Sequence, residues 1–278
     1  MPDYINFHSR NFLIRKFISL VIKILVFFPD WLFCLVWNLI LLMINNSVRI
    51  SLIKDGRFLV KDKIQSMEIV HKKRFEFYLQ NISTRLNHIS YEYMLDSVKF
   101  SPGDTIIDCG ANIGELYLAI DQNYQAEFKY YGFEPAPKEF SALNNNSRNL
   151  VEKPLALSSN TENRNFYIRT KTADSSFEEG KNQKKIHVEC MTIDDYFKEI
   201  KSITLLKLEA EGYELDVLRG ASGSLDKIKF ITADLGFELE NNTKSSFDSV
   251  NRFLQKNNFE LLSSTKRHTY LYKNKKIF

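Results

Sequence analysis

Two carboxylates, Asp108 and Glu134, each close an apolar run and carry the first chemical signal in this chain. Asp108 ends the β-branched stretch Thr105-Ile106-Ile107 and leads into Cys109-Gly110-Ala111-Asn112-Ile113-Gly114. Such a stretch suits a strand covered on both faces, and open parallel sheets take their ligands at the carboxyl ends of these strands. Gly110 and Gly114 allow close backbone approach, but Asn112 stands where a dinucleotide fingerprint needs its second glycine. Pyrophosphate is therefore disfavoured, which counts against a nicotinamide-dependent dehydrogenase. An acid at the head of the turn would also repel pyrophosphate, whereas it suits the amino group of S-adenosyl-L-methionine. Glu134 ends Tyr130-Tyr131-Gly132-Phe133, about 20 residues past the turn, where a Rossmann-type sheet holds the carboxylate for both ribose hydroxyls. Pro135 then stops the strand. The cofactor implied is a sulfonium nucleoside, S-adenosyl-L-methionine. Its expected binding residues are Asp108, Gly110, Ala111, Asn112, Gly114, Glu134 and Pro135, with Leu157 beside the adenine.

A second cluster, Lys207, Glu209 and Glu211, lies at the carboxyl end of another apolar run, residues 203–208. If the methyl acceptor is a hydroxyl, its proton needs a base, and Glu209 and Glu211 are the candidates, with Lys207 able to pair with either. The same three charges could instead only tie down the turn from strand to helix. Asp174-Ser175-Ser176 is placed at the acceptor or cofactor mouth, and His187 is assigned a structural role. No metal-ligand spacing is present.

These segments together resemble the FkbM family of S-adenosylmethionine-dependent methyltransferases. The resemblance rests on Asp104-Thr-Ile-Ile-Asp-Cys-Gly-Ala-Asn-Ile-Gly114, Gly132-Phe-Glu-Pro135, Thr192-Ile-Asp194 and the stretch from Lys207 to Ala221, and it covers about residues 80–240. In the last stretch Lys207, Glu211, Gly212, Glu214, Leu218, Gly220 and Ala221 match the family pattern. Glu209 departs from it, standing where the family has Asp and carrying its carboxylate one methylene further out. The resemblance implies methyl transfer to a sugar hydroxyl on a glycan or lipid-linked saccharide. The departure at Glu209 leaves a second reading open, a protein that keeps the fold and binds without turnover.

The elements needed to position these residues alternate in period as a parallel sheet with crossover helices does. Helices are predicted at residues 83–99, 138–149 and 245–256 and after Gly212. Strands are predicted at 104–108, 130–133, 154–157, 203–208 and 230–233, with an antiparallel pair at 259–263 and 269–273. Seven strands in this order predict a class I methyltransferase (Rossmann-like) α/β sheet with helices on both faces. Residues 164–169 and 186–191 are expected as strands flanking a polar insertion.

A chain of 278 residues without a repeat bounds the molecule to one main domain plus an appendage. Its net charge of +4 is spread out and excludes a nucleic-acid-binding patch. Cys34, Cys109 and Cys190 are too far apart for a disulfide framework or a zinc site, and Cys109 is expected to pack as a small apolar residue.

The appendage is the apolar stretch 17–44, interrupted by Pro29-Asp30 and flanked on both sides by basic residues. At about 1.5 Å per residue, each half is too short for a hydrocarbon core about 30 Å thick, but the two in line are long enough. Two geometries stay open: one kinked spanning helix, or a shallow re-entrant hairpin broken at Pro29. The domains expected are thus a membrane anchor at 1–50, a juxtamembrane connector at 51–80 and the methyltransferase domain at 81–278. The catalytic domain should face the cytoplasm, where the cofactor is made.

Overall fold

Pro29 decides what becomes of the apolar stretch. Its φ of −53° and ψ of 148° place it just ahead of a helix, α1 (Asp30–Met43). Immediately before it the chain turns, with Phe27 N donating to Ile24 O and Phe28 N to Leu25 O. The two apolar runs therefore do not join into one helix, which corrects the expectation of a continuous kinked span. Among the described residues no helix is long and apolar enough to cross a membrane. The computed structural model describes residues 21, 24–124, 127–168, 177, 183–236 and 246–278. Residues 1–20, 22 and 23 of the expected anchor and the Asp174-Ser175-Ser176 segment lie outside these. The chain divides into two compact units, Met1–Ile82 and Ser83–Phe278.

In the first unit, residues expected as a connector form a three-stranded antiparallel meander: β1 (Arg49–Leu52), β2 (Phe58–Lys61) and β3 (Ser66–Ile69). Phe58, Val60, Met67 and Ile69 turn inward at every second residue, a period that the charged run Lys61-Asp62-Lys63 conceals in the sequence. Phe33, Trp37 and Leu41 of α1 are fully buried. The Phe33 ring meets Phe58 edge-on at 5.9 Å and Phe75 at 6.2 Å, and Trp37 meets Phe75 at 5.4 Å. Asn38 fixes the helix to β1, donating to Ile50 O at 2.7 Å and accepting from Ile50 N at 3.0 Å. Asp30 is paired with Lys72 at 2.6 Å, so the basic run at 71–74 serves the unit's interior in part.

The second unit opens with α2 (Ile82–Glu92) and is built on a six-stranded sheet. Its members are β4 (Thr105–Cys109), β5 (Lys129–Phe133), β9 (Ile203–Leu208), β10 (Ile228–Asp234), β11 (Phe259–Ser264) and β12 (Thr269–Asn274). Their order is β11-β12-β10-β9-β4-β5, and β12 runs antiparallel to both its neighbours. The parallel strands β4 and β9 are buried along their whole length, as their unbroken apolar runs require. Crossovers are supplied by α3 (Glu115–Tyr124) and α6 (Glu214–Arg219), while α4 (Pro137–Asn146) follows β5 and α7 (Phe247–Lys256) precedes β11.

A seventh strand was expected beside β5. Of residues 154–157 only Ala156–Leu157 (β6) is extended, and it pairs with β8 (Lys184–Met191) in a separate sheet of order β6-β8-β7. β7 (Glu162–Ile168) and β8 pair antiparallel and are the strands expected to flank a polar insertion, which itself lies almost wholly outside the described residues. At the edge of β5, residues 149 and 150 replace the missing strand: Leu150 N donates to Tyr130 O at 3.0 Å, and the Asn149 side chain takes the next position. Gly132 N donates to Asn149 Oδ1 at 2.8 Å, and Asn149 Nδ2 donates to Gly132 O at 3.1 Å. One carboxamide thus satisfies the backbone donor and acceptor that a neighbouring strand would otherwise pair. A short helix, α5 (Ile193–Tyr196), follows β8 and is capped by Thr192.

Candidate active site

Asp108 and Lys207 sit opposite each other in adjacent parallel strands, and on its other side Asp108 faces Gly132. Their side chains are 1% and 3% exposed, with Lys207 Nζ 3.1 Å from Asp108 Oδ1. The same ammonium reaches Glu209 Oε2 at 2.9 Å and donates to the carbonyls of Gly110 at 2.7 Å and Cys109 at 3.2 Å. Burial works against its charge, but Asp108 and Glu209 outweigh that and hold Lys207 well above the ordinary lysine range. Lys207 is therefore a fixed cation binding the end of β4 to the end of β9. It has no capacity to accept a proton at neutral pH, and its place among the catalytic candidates becomes that of a positioning residue.

Asp108 is committed through one of its two oxygens. Its Oδ2 accepts a hydrogen bond from Tyr130 O–H at 2.6 Å, and burial followed by Asp108 pushes the Tyr130 phenol well above its usual range. Its Oδ1, though 3.1 Å from Lys207 Nζ, accepts no hydrogen bond from any described residue. The carboxylate neutralises Lys207 beneath the turn.

The turn itself cradles no phosphate. The amides of Gly110 and Ala111 both donate to Phe133 O, Asn112 N donates to Glu134 Oε2 at 3.0 Å, and Gly114 N donates to Ala111 O. Phosphate-binding loops work because such amides point outward at the ligand. Gly110 is required for another reason: at φ +72° a Cβ there would lie 2.0 Å from Glu209 O. Asn112 adopts φ +49°, and its buried Oδ1 accepts no hydrogen bond from any described residue. An orphaned buried acceptor calls for a donor. S-adenosylmethionine brings an ammonium, two ribose hydroxyls and an adenine amine, so the residues present fit that group.

Glu134 lies just past β5 and is 7% exposed. Its two oxygens accept from Asn112 N and from Ala136 N at 2.9 Å, which locks the glycine turn to the start of α4. Burial, then the charge of Glu139, pushes its carboxyl up to about 8. Ala111 is buried in the turn, Pro135 follows Glu134, and Leu157, buried at 3%, belongs to the smaller sheet and not to the main one.

Glu209 is the most open of the strand-tip acids, its side chain 37% exposed. Its Oε2 accepts from Tyr93 O–H at 2.7 Å as well as from Lys207, so the extra methylene relative to Asp is taken up by two specific contacts. Glu211 sits two residues on, in left-handed backbone at φ +51°. Glu214 folds back to accept from the amides of Ala210 and Gly212, holding that turn. The stretch from Lys207 to Glu214 therefore serves both turn-fixing and charge placement.

Two residues were missed from the sequence. Tyr93 falls in the helix predicted over 83–99, where its spacing marks it only as an apolar position, yet it hydrogen-bonds Glu209, and Lys207 Nζ lies 5.4 Å from its ring centroid. Asp234 ends β10 one step beyond the pairing of Ala233 with Leu208, which brings it level with Glu209. It is 8% exposed, and burial, followed by Glu209, pushes its carboxyl up to about 6. The available signal was an acid at the end of an apolar run, the same signal that marked Asp108.

A family model described as the Methyltransferase FkbM domain matches residues 108–261, more than half of the chain. No curated protein matches. Among solved structures, the crystal structure of Methyltransferase FkbM from Methylobacillus flagellatus KT is similar at 18% identity and a TM-score of 0.44, covering 71% of this chain. The chain spans 56% of that protein's length. The 16S rRNA methylase ArmA is similar at 14% identity and a TM-score of 0.37, with 69% of this chain and 86% of that one covered. The matched residues include Asp108, the glycine turn, Glu134, Lys207, Glu209 and Asp234, and on that family model the chain belongs to the FkbM methyltransferase domain family.

Proposed function

We propose that this protein is an S-adenosylmethionine-dependent methyltransferase that methylates a sugar hydroxyl on a glycan or lipid-linked saccharide at a membrane. The observation that carries the cofactor reading is the turn at 110–114, with the amides of Gly110, Ala111, Asn112 and Gly114 engaged internally and the Asn112 Oδ1 acceptor left unmet. Asn112 and Glu134 would hold the nucleoside, with Asp108 and Lys207 fixing the floor beneath it. When bound, S-adenosylmethionine supplies a methyl carbon activated by a sulfonium. The protein's own task is then alignment of the acceptor and removal of one proton.

Asp234 suits that proton best. A base works most effectively with a pKa near the operating pH, and Asp234, at about 6, is closer to it than an ordinary carboxylate. Glu209 is engaged by Lys207 and Tyr93 and instead raises the basicity of its neighbour.

Titration calorimetry tests the reading. S-adenosylmethionine should bind while NAD should not, and Glu134→Ala should weaken the former by about two- to tenfold through loss of a hydrogen bond worth about 0.5–1.5 kcal/mol. Tighter binding of NAD would end the proposal. Incorporation of labelled methyl into a cell-envelope extract then separates an enzyme from a protein that only binds.

A further inference from the structure

The side of α1 that faces away from the core is as apolar as the side that builds it. Phe33, Trp37 and Leu41 are fully buried, whereas Trp31, Leu35, Leu39 and Leu42, on the opposite side of the same helix, are each more than half exposed. Met43 extends this row at 86% exposure. A helix that is apolar all round needs cover all round. Eighteen large apolar or aromatic side chains are exposed among the described residues, and twelve of them belong to the first unit.

Charge indicates what provides the cover. Residues 1–82 contain 12 Lys and Arg against 6 Asp and Glu, while residues 83–278 contain 26 against 28. This corrects the reading of the net charge as spread out: the positive excess resides wholly in the unit that bears the apolar row, where Lys54, Lys61, Lys63 and Lys73 are exposed. A second copy of so basic a unit would be repelled, and an anionic lipid surface attracted. The helix has 14 residues, about 21 Å, against a hydrocarbon core of about 30 Å. Its inner side is already packed on protein, so lipid cannot surround it.

We propose that the first unit is a monotopic docking module. In it α1 lies in the plane of an anionic membrane, with Trp31, Leu35, Leu39 and Leu42 in the boundary between headgroups and acyl chains while Phe33, Trp37 and Leu41 keep the protein core. Interfacial helices ordinarily present a charged face to water; here a folded protein core takes the place of that face. This sharpens the membrane placement in the proposed function and is independent of methyl transfer, on which cofactor calorimetry reports separately.

The test is co-sedimentation of the full chain with vesicles of phosphatidylcholine alone and with about 30% phosphatidylglycerol added. Binding should require the anionic lipid, weaken with salt, and shift tryptophan emission to the blue, a shift lost in Trp31→Phe because Trp37 is already buried. Lipid brominated near the headgroup end of its chains should quench Trp31 more than lipid brominated near the tail end. Leu35→Glu with Leu39→Glu should reduce binding at least about tenfold with an unchanged thermal melt, since both positions face outward. Binding unaffected by that double substitution overturns the proposal, as does stronger quenching from the tail end, no binding to either vesicle, or a lipid-free oligomer that the substitutions dissociate. Should the double variant melt early, the bromolipid comparison on the natural chain still decides.

Discussion

A lysine buried at 3% exposure is tolerated in this sheet because two carboxylates and two carbonyls surround it. Removing one member of a buried pair leaves the other charge uncompensated, which costs more than the pair contributes. Lys207→Met should therefore destabilise the protein by about 3–5 kcal/mol in urea unfolding, with the loss arising from Asp108 and not from packing. Asp234 gives a second test at this scale, one of pH. A base must be unprotonated to act, so the rate of labelled-methyl transfer should rise as pH passes through about 6 and level off above it. Asp234→Asn should lower the rate by about 10²–10⁴ and abolish that limb, while leaving cofactor affinity within a few-fold. A variant that keeps the rise near pH 6 would assign the proton to another group. Of these residues, Asp108, Glu134 and Lys207 were legible in the sequence because each interrupts or ends an apolar run. Tyr93 was not, because an aromatic residue at helical spacing reads as core until its hydroxyl is seen to have a partner.

At the scale of elements, the glycine turn is held by contacts from two strands and a helix. Gly110 receives the tip of β9, Gly110 N and Ala111 N donate to the end of β5, and Glu134 ties Asn112 to α4. Gly110→Ala meets both a positive φ and the Glu209 carbonyl at 2.0 Å, so β4 and β9 would have to separate. The expected outcome is a loss of more than about 2 kcal/mol by chemical denaturation, together with loss of S-adenosylmethionine binding in calorimetry. Gly220 plays the same part at the end of α6, where a Cβ would lie 2.1 Å from Ser158 O. This gives a packing reason for the Gly-Ala pair that closes the family pattern. The strand count shows where reading by element failed. Residues 154–157 have a strand's composition, but residues 149–150 reach the edge of β5 first, Leu150 N pairing with Tyr130 O and the Asn149 side chain with Gly132.

Over the whole molecule, the two units differ in what stabilises them. The second has a buried parallel sheet, while the first depends on a small aromatic cluster of Phe33, Trp37, Phe58 and Phe75. Trp37→Ala should cost the first unit about 3–5 kcal/mol, seen as an earlier thermal transition. S-adenosylmethionine affinity should stay within about threefold, because none of the residues assigned to the cofactor belongs to that unit. An equal loss of affinity would show that the units do not act independently.

What the sequence by itself determined was the chemistry at the strand ends: acids after β-branched runs, a turn with one glycine too few for pyrophosphate, and a lysine among carboxylates. These are local patterns, fixed by residue type and spacing. Only the tertiary structure decided how each charge is used, because a carboxylate beside a ligand and one neutralising a buried ammonium look alike until their partners are in place. It decided likewise that residues 30–43 form a helix with one side in a protein core, since hydropathy records how apolar a segment is and not which of its faces is already covered.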